Sequence, residues 1–365
     1  MTLHRYFAWR FLKTFAAVFA VFLGLAILFD LADQVRRYAG SGISFGSILG
    51  LTLLSAPQGL YRLLPLLTII ATLTLLLSMA RSSELVVARA SGRSALRALL
   101  APALVTFLLG VLAVTVFNPL VAAMSKEYEA RSNRIDDGGA SVLSISDQGL
   151  WLRQGGAEGQ TVIRALNSNL DGTTLIGVTL VSFAPDGAPT RRIEAARATL
   201  ESGAWRLTNA KVWPLSSSPN PEQAAEFFEA LTFPSNLTRE GIRDSFGTPS
   251  AIPIWDLPAF ISQLERAGFS ARRHAVWLQM ELALPAFMVA MLLIAAGFTM
   301  RHTRVSRTGV MVLYAVMLGF GLYFIRNFAQ ILGENGQMPI LLAAWAPPLG
   351  AIGLALGLLL HLEDG

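Results

Sequence analysis

The sequence predicts a polytopic α-helical membrane protein with six transmembrane helices, three on each side of an inserted antiparallel β domain. Three observations predict it. Of 365 residues, 53% are hydrophobic and only 15% charged, and the mean hydropathy of +0.52 is too high for a soluble domain of this length. The apolar residues gather in six runs near the ~20 residues needed to cross a bilayer. Between the third and fourth runs, a long polar stretch changes from helical to two-residue periodicity.

The runs place spans at about 10–31, 58–80, 97–121, 274–298, 307–330 and 339–361. The first lacks an A-x-A-like cleavage site after its core and is long enough to span, so it reads as a retained helix rather than a signal peptide. Arg5, Arg10 and Lys13 precede the first span; Arg81, Arg89, Arg93 and Arg97 separate the second and third; Arg301, Arg304 and Arg307 separate the fourth and fifth. The positive-inside rule makes these segments cytoplasmic, with both termini, and puts the β domain outside. The short loop from Ile331 to Met338, without Lys or Arg, is outside as well. The stretch Ser44–Ala56 is apolar but too short to span, and reads as an interfacial helix or an extension of the second span.

Leu150–Arg153, Thr161–Ala165, Thr174–Phe183, Arg191–Leu200 and Trp205–Trp213 alternate apolar and polar residues. Turn signals at Asp171-Gly172, Pro185-Asp186-Gly187 and Ser202-Gly203 separate several of them, as in an antiparallel sandwich or open roll. Pro214–Pro221 reads as a loop. Leu257, Phe260, Ile261 and Leu264 recur at helical spacing, so Leu257–Ala267 is an amphipathic helix leading back to the membrane. The expected divisions are 1–125 for three spans with a cytoplasmic helix over 82–92, 126–255 for the β domain, and 256–365 for the connecting helix and last three spans. Pro57, Pro65, Pro102, Pro285 and the Pro347-Pro348 pair are expected to kink or end helices.

Several chemistries are excluded. The net charge of +5 does not imply nucleic acid, because the basic residues cluster at the ends of apolar runs, where they set topology. Without cysteine there are no disulfides or thiolate metal sites. No phosphate-binding loop or H-E-x-x-H occurs, and His4, His274, His302 and His361 all lie near span ends. No catalytic residue, metal ligand or cofactor site is assigned.

The loop RSSELVVARASGRS, Arg81–Ser94, specifies a short helix across the cytoplasmic face. Ser82 or Ser83 caps it, Glu84 suits its first turn, Leu85, Val86 and Val87 supply an apolar surface, and Gly92 suits its C-terminal cap. On these residues alone the helix either merely joins two spans or seats in a groove of a cytoplasmic motor, offering Glu84 to a basic residue.

That loop, Asp33-Gln34 with Arg36-Arg37, Pro65, QGLW at Gln148–Trp151, WRL at Trp205–Leu207, NLT at Asn236–Thr238 and the last three spans resemble the lipopolysaccharide-export permeases of the LptF/LptG family. The resemblance covers essentially the whole chain, and the SELVV loop and Asp33-Gln34 lie nearer the LptG branch. It implies an inner-membrane permease subunit of an ATP-driven ABC transporter that extracts lipopolysaccharide and passes it to a periplasmic β-jellyroll bridge towards the outer membrane. It implies an LptF-like permease partner, an LptB-like ATPase dimer holding the ATP and Mg, and an LptC-like single-span jellyroll protein. Glu84 would then face the ATPase, with Ser83, Leu85, Val86, Arg89 and Gly92 shaping the coupling helix. The alternatives are a permease for another envelope lipid or lipoprotein, or a membrane-anchored sensor or scaffold, which would leave that helix without a motor.

Asp30 lies nineteen residues after Phe11, Arg62 nineteen before Arg81, Arg326 nineteen after Arg307 and Glu281 twenty before Arg301. At a 1.5 Å rise these separations are about 28–30 Å, which puts all four near the outer interface. Snorkelling interfacial charges would look the same. In the resembling family spans one, two and five line the substrate cavity, which makes Arg36, Arg37, Arg62 and Arg326 candidate head-group contacts, since guanidinium forks bind phosphates bidentately. Relatives carry lysine at position 30 and an acid at position 326; the exchanged signs suggest an Asp30–Arg326 ion pair at a lateral gate between the first and fifth spans. Phe19, Phe22, Phe29, Leu66, Ile69, Phe320, Phe324 and Phe328 are equally fit to hold acyl chains or to face lipid.

Overall fold

The computed structural model describes residues 2–39, 43–82, 84, 95–136, 143–146, 149–156, 159–169, 172–216, 220–235, 237–238, 242, 248–266, 269–300 and 308–364. The chain forms two units. One holds Met1–Ser132, Ser250–Trp255 and Arg272–Gly365; the other holds Asn133–Pro249 and Asp256–Ala271.

The first unit is helical. Its elements are α1 (Thr2–Arg37), α2 (Phe45–Arg81), α3 (Ala95–Leu112), a π turn (Ala113–Phe117), α4 (Asn118–Asp136), α6 (Arg272–Leu282), α7 (Leu284–Thr299), α8 (Thr308–Glu334) and α9 (Ile340–Asp364), with α5 lying in the other unit. Among the described residues five helical stretches are long and apolar enough to cross a membrane, and α6 with α7, bent by 49°, makes six where the pair is taken as one span. Ser44–Ala56 is an extension of the second span: Ser44 caps α2, and the helix continues through Pro57 and Pro65 to Arg81. Pro102 and Pro347-Pro348 likewise lie inside continuous helices. Pro285 alone among the expected prolines coincides with a break, three residues beyond the end of α6.

In lipid there is little hydrophobic force between helices, so close van der Waals packing holds them. Glycines make the approach possible. A Cβ on Gly110 of α3 would stand 2.6 Å from the Cα of Pro285, and one on Gly319 of α8 would stand 2.6 Å from Ile69 Cδ1. Helices α2 and α7 are the most enclosed, whereas α1 and α8 leave Phe29, Phe320, Phe324 and Phe328 exposed.

Among the described residues the second unit forms a seven-stranded antiparallel sheet in simple sequential order, with β1 and β7 at its edges. Its strands are β1 (Leu143–Ser146), β2 (Gly149–Gly156), β3 (Gly159–Ser168), β4 (Thr174–Phe183), β5 (Pro189–Glu201), β6 (Ala204–Pro214) and β7 (Glu226–Pro234). The five expected strands are present, and β7 lies beyond the alternating region. Helix α5 (Leu257–Arg266) closes one face: Leu264 joins the β core, and Phe260 and Ile261 pack against it. Its apolar side thus meets the sheet of its own unit. Trp205 is the largest fully buried side chain.

The alternation is broken along one line across the sheet. Inward residues run Ile163 and Ala165 then Ser168 in β3, Leu175 then Val178 and Leu180 in β4, Ile193 and Ala195 then Ala198 in β5, and Trp205 and Leu207 then Ala210 in β6. Two successive residues are skipped in each strand, and ladder pairing lapses at Leu166, Gly177, Ala196, Asn209 and Glu229. Gly177 at φ 62° and Asn209 at φ 53° supply the left-handed backbone this crease needs, as residues do at β-bulges.

Candidate functional site

Two polar clusters stand out in the apolar unit. The first lies at the junction of α1 with the end of α2. Tyr6 and Arg10, one helical turn apart, share a face of α1, and Arg10 Nη1 donates to Tyr6 Oη at 2.7 Å. Arg10 also forms an ion pair with Glu84, Tyr6 Oη donates to Glu84 Oε2 at 3.0 Å, and Ser82 Oγ donates to Glu84 Oε1 at 2.8 Å. The hydrogen bond from Arg10, followed by that from Ser82, holds the Glu84 carboxyl below the usual glutamate range. Glu84 is therefore charged and fixed to the first span. Ser83, Leu85, Val86, Arg89 and Gly92, and hence most of the expected helix 82–92, lie outside the described residues.

The second cluster lies deep between spans. Glu281, 2% exposed, accepts from Tyr61 Oη of α2 and from Asn118 Nδ2 of α4 at 3.2 Å, both on Oε2. Asn118 Oδ1 accepts the backbone N–H of Ile254 at 3.0 Å, which leaves its amide nitrogen for the carboxylate. Arg326 of α8 is within electrostatic reach of Glu281, and its guanidinium lies 5.5 Å over the Phe287 ring. A carboxylate so deep in an apolar unit needs such partners, since an unpaired charge there is costly.

Arg36, Arg37 and Arg62 are exposed, Arg37 with its guanidinium 5.5 Å over the Tyr38 ring. Arg326 is half-buried and within electrostatic reach of Glu281. Asp30 instead accepts a hydrogen bond from Ser55 of α2. Among the described residues no ion pair joins Asp30 to Arg326; Glu281 is within electrostatic reach of Arg326, and Asp30 accepts from a hydroxyl on the second span.

A match to the family described as lipopolysaccharide export system permease LptF/LptG runs over residues 5–361. The chain belongs to the LptF/LptG family. It is 26% identical over 370 residues to the lipopolysaccharide export system permease protein LptG of Escherichia coli K12, covering 98% of each chain. It is also 22% identical over 359 residues to the LptG of Haemophilus influenzae, covering 95% of each. Within this LptF/LptG permease the membrane-spanning helices and the inserted β unit both fall inside the matched region, so both belong to the family's common architecture.

Sequence reasoning placed Glu281 by its distance from Arg301 but did not connect it to Tyr61 or Asn118. The available signal was Asn118-Pro119 inside the third apolar run. Pro119 has no N–H for the carbonyl of Thr115, and its ring would press on that carbonyl in a regular helix. The chain widens to the π turn Ala113–Phe117, with the Asn118 N–H bonded to Ala113 O.

Proposed function

We propose that this chain is a permease subunit of an ATP-driven exporter that takes lipopolysaccharide from the inner membrane and hands it to a periplasmic β-jellyroll bridge towards the outer membrane. The observation that carries this reading is the family match along nearly the whole chain, together with Glu84, charged and tied to the first span beside the cytoplasmic loop. Its partners are an LptF-like second permease, an LptB-like ATPase dimer that binds the ATP and Mg, and an LptC-like single-span protein. The chain lies multi-pass in the inner membrane, with both termini cytoplasmic and the β unit periplasmic.

In this reading the ATPase seats against the coupling helix at Ser83, Glu84, Leu85, Val86, Arg89 and Gly92. Its stroke reaches α1 through Glu84, Arg10 and Tyr6. Arg36, Arg37 and Arg62 present guanidinium groups for the phosphates and carboxylates of the head group, and Arg326 joins them from the fifth span. The exposed apolar sides of α1 and α8, including Phe29 and Phe324, fit acyl chains or the second permease.

The reading is tested by purifying the tagged chain from its native membrane in mild detergent and identifying what accompanies it. A nucleotide-binding subunit, a second six-span permease and lipopolysaccharide are expected, and Glu84→Arg is expected to lose the nucleotide-binding subunit. A chain that emerges alone or with a signalling protein defeats the reading.

A further inference from the structure

The stretch Ser250–Trp255 packs with the membrane-spanning unit, although the chain on both sides of it belongs to the β unit. Three bonds hold this strap. Gln58 Nε2 of α2 donates to Ser250 Oγ at 3.0 Å, the Ile254 N–H donates to Asn118 Oδ1 at 3.0 Å, and Trp255 Nε1 donates to the Thr115 carbonyl at 3.1 Å. The last acceptor is the carbonyl to which a regular helix would bond the N–H of residue 119, which Pro119 lacks. The strap therefore bonds to the π turn Ala113–Phe117 and to the residue that follows it.

Asn118 spends its other polar atom on Glu281, two residues before the break in the fourth span. One amide thus bonds the strap and the bend together. Asn118 is 4% exposed and Glu281 2%. Cohesion alone would be served as well by apolar side chains of similar volume; buried polar contacts between particular atoms specify one alignment of the elements that carry them.

We propose that Asn118 and Glu281 are positioning residues for transport, latching the strap Ser250–Trp255 to the bend of the fourth span so that movement of the β unit's chain reaches α6 and the Arg326 beside it. The proposal rests on the exporter reading above. Its action is mechanical: a pull on either side of the strap changes the seat of Asn118, and Glu281 follows.

The chain has no cysteine, so Ile252→Cys supplies its single thiol, within the strap. In the complete complex in proteoliposomes, Asn118→Leu is expected to speed maleimide labelling of that thiol about five-fold or more. It is also expected to cut ATP-dependent lipopolysaccharide release about ten-fold, with ATP hydrolysis within about two-fold of the parent, the size of effect a lost buried hydrogen bond produces. Glu281→Leu is expected to expose the strap in the same way, whereas Glu281→Gln, whose carbonyl still accepts from Tyr61 and Asn118, keeps it protected. Unchanged labelling in Asn118→Leu and Glu281→Leu would overturn the latch. A parallel fall of hydrolysis and release would overturn it too, by making both residues merely structural. If the parent complex released no lipopolysaccharide with ATP, the exporter reading would fail by itself, and the labelling rates would still judge the latch.

Discussion

Glu84 keeps its charge further into acid than an ordinary glutamate, because Arg10 and then Ser82 donate hydrogen bonds to it. A carboxyl whose pKa is lowered in the folded state contributes its stability above the usual value and loses it as pH falls through the lowered one. At 31% side-chain exposure, solvent screening keeps that contribution small. In a difference infrared spectrum against Glu84→Gln, the carboxylate band is expected to persist below pH 4.5, and Arg10→Ala to move its midpoint back towards that value. Asn209 makes a second prediction at this scale. At φ 53° a β-branched side chain is strained, so Asn209→Val is expected to destabilise the β unit by about 1–2 kcal/mol, and Asn209→Gly to be near neutral, by thermal unfolding. Of the residues that carry the candidate site, Glu84 and the exposed arginines were legible because interfacial charge and loop pattern are local signals. Tyr61 and Asn118 were not, because a polar residue in an apolar run declares itself only when its partner on another span is known.

The helices depend on where they can touch. Gly110 meets backbone of the fourth span at Pro285, whereas Gly319 meets the far end of a flexible isoleucine. Gly110→Ala is therefore expected to loosen the third and fourth spans and lower the melting temperature of the purified chain clearly, and Gly319→Ala to lower it little, since Ile69 can change rotamer. Span number and approximate position followed from hydropathy, which reports burial in lipid or protein without distinguishing them. Helix ends and breaks did not follow. Prolines at 57, 65, 102 and 347 sit inside continuous helices because neighbouring segments accommodate them, while Pro285 marks a bend and Pro119 a π turn. In the β unit, period-two alternation located strands but concealed the crease, since two adjacent outward residues look like a strand end when one strand is read alone.

At the scale of the molecule, each unit has its own cohesive core. Trp205 anchors the one in the β unit, and Trp205→Ala is expected to cost about 3–5 kcal/mol of its stability, seen as early proteolysis between β1 and β7 with the spans still membrane-inserted. The absence of cysteine offers a test of orientation as well. In intact cells a thiol introduced at Asp186, in the β4–β5 turn, is expected to react with an impermeant maleimide once the outer membrane is breached, and one introduced at Lys13 to react only after the inner membrane is opened.

By itself the sequence determined the membrane class, the three-plus-three layout around a β insert, the family, and the polar loop that holds Glu84. The class and the layout follow from composition and period, which each residue carries regardless of its distant neighbours; the family and the loop follow from short motifs that resemble those of its members. Only the tertiary structure decided that Glu281 lies buried against Tyr61 and Asn118, that it is within electrostatic reach of Arg326, that four strands break their alternation along one line, and that Trp255 of the strap donates to the Thr115 carbonyl. Each depends on which atoms on separate elements come within hydrogen-bond or charge reach, a matter of packing geometry that local pattern does not encode.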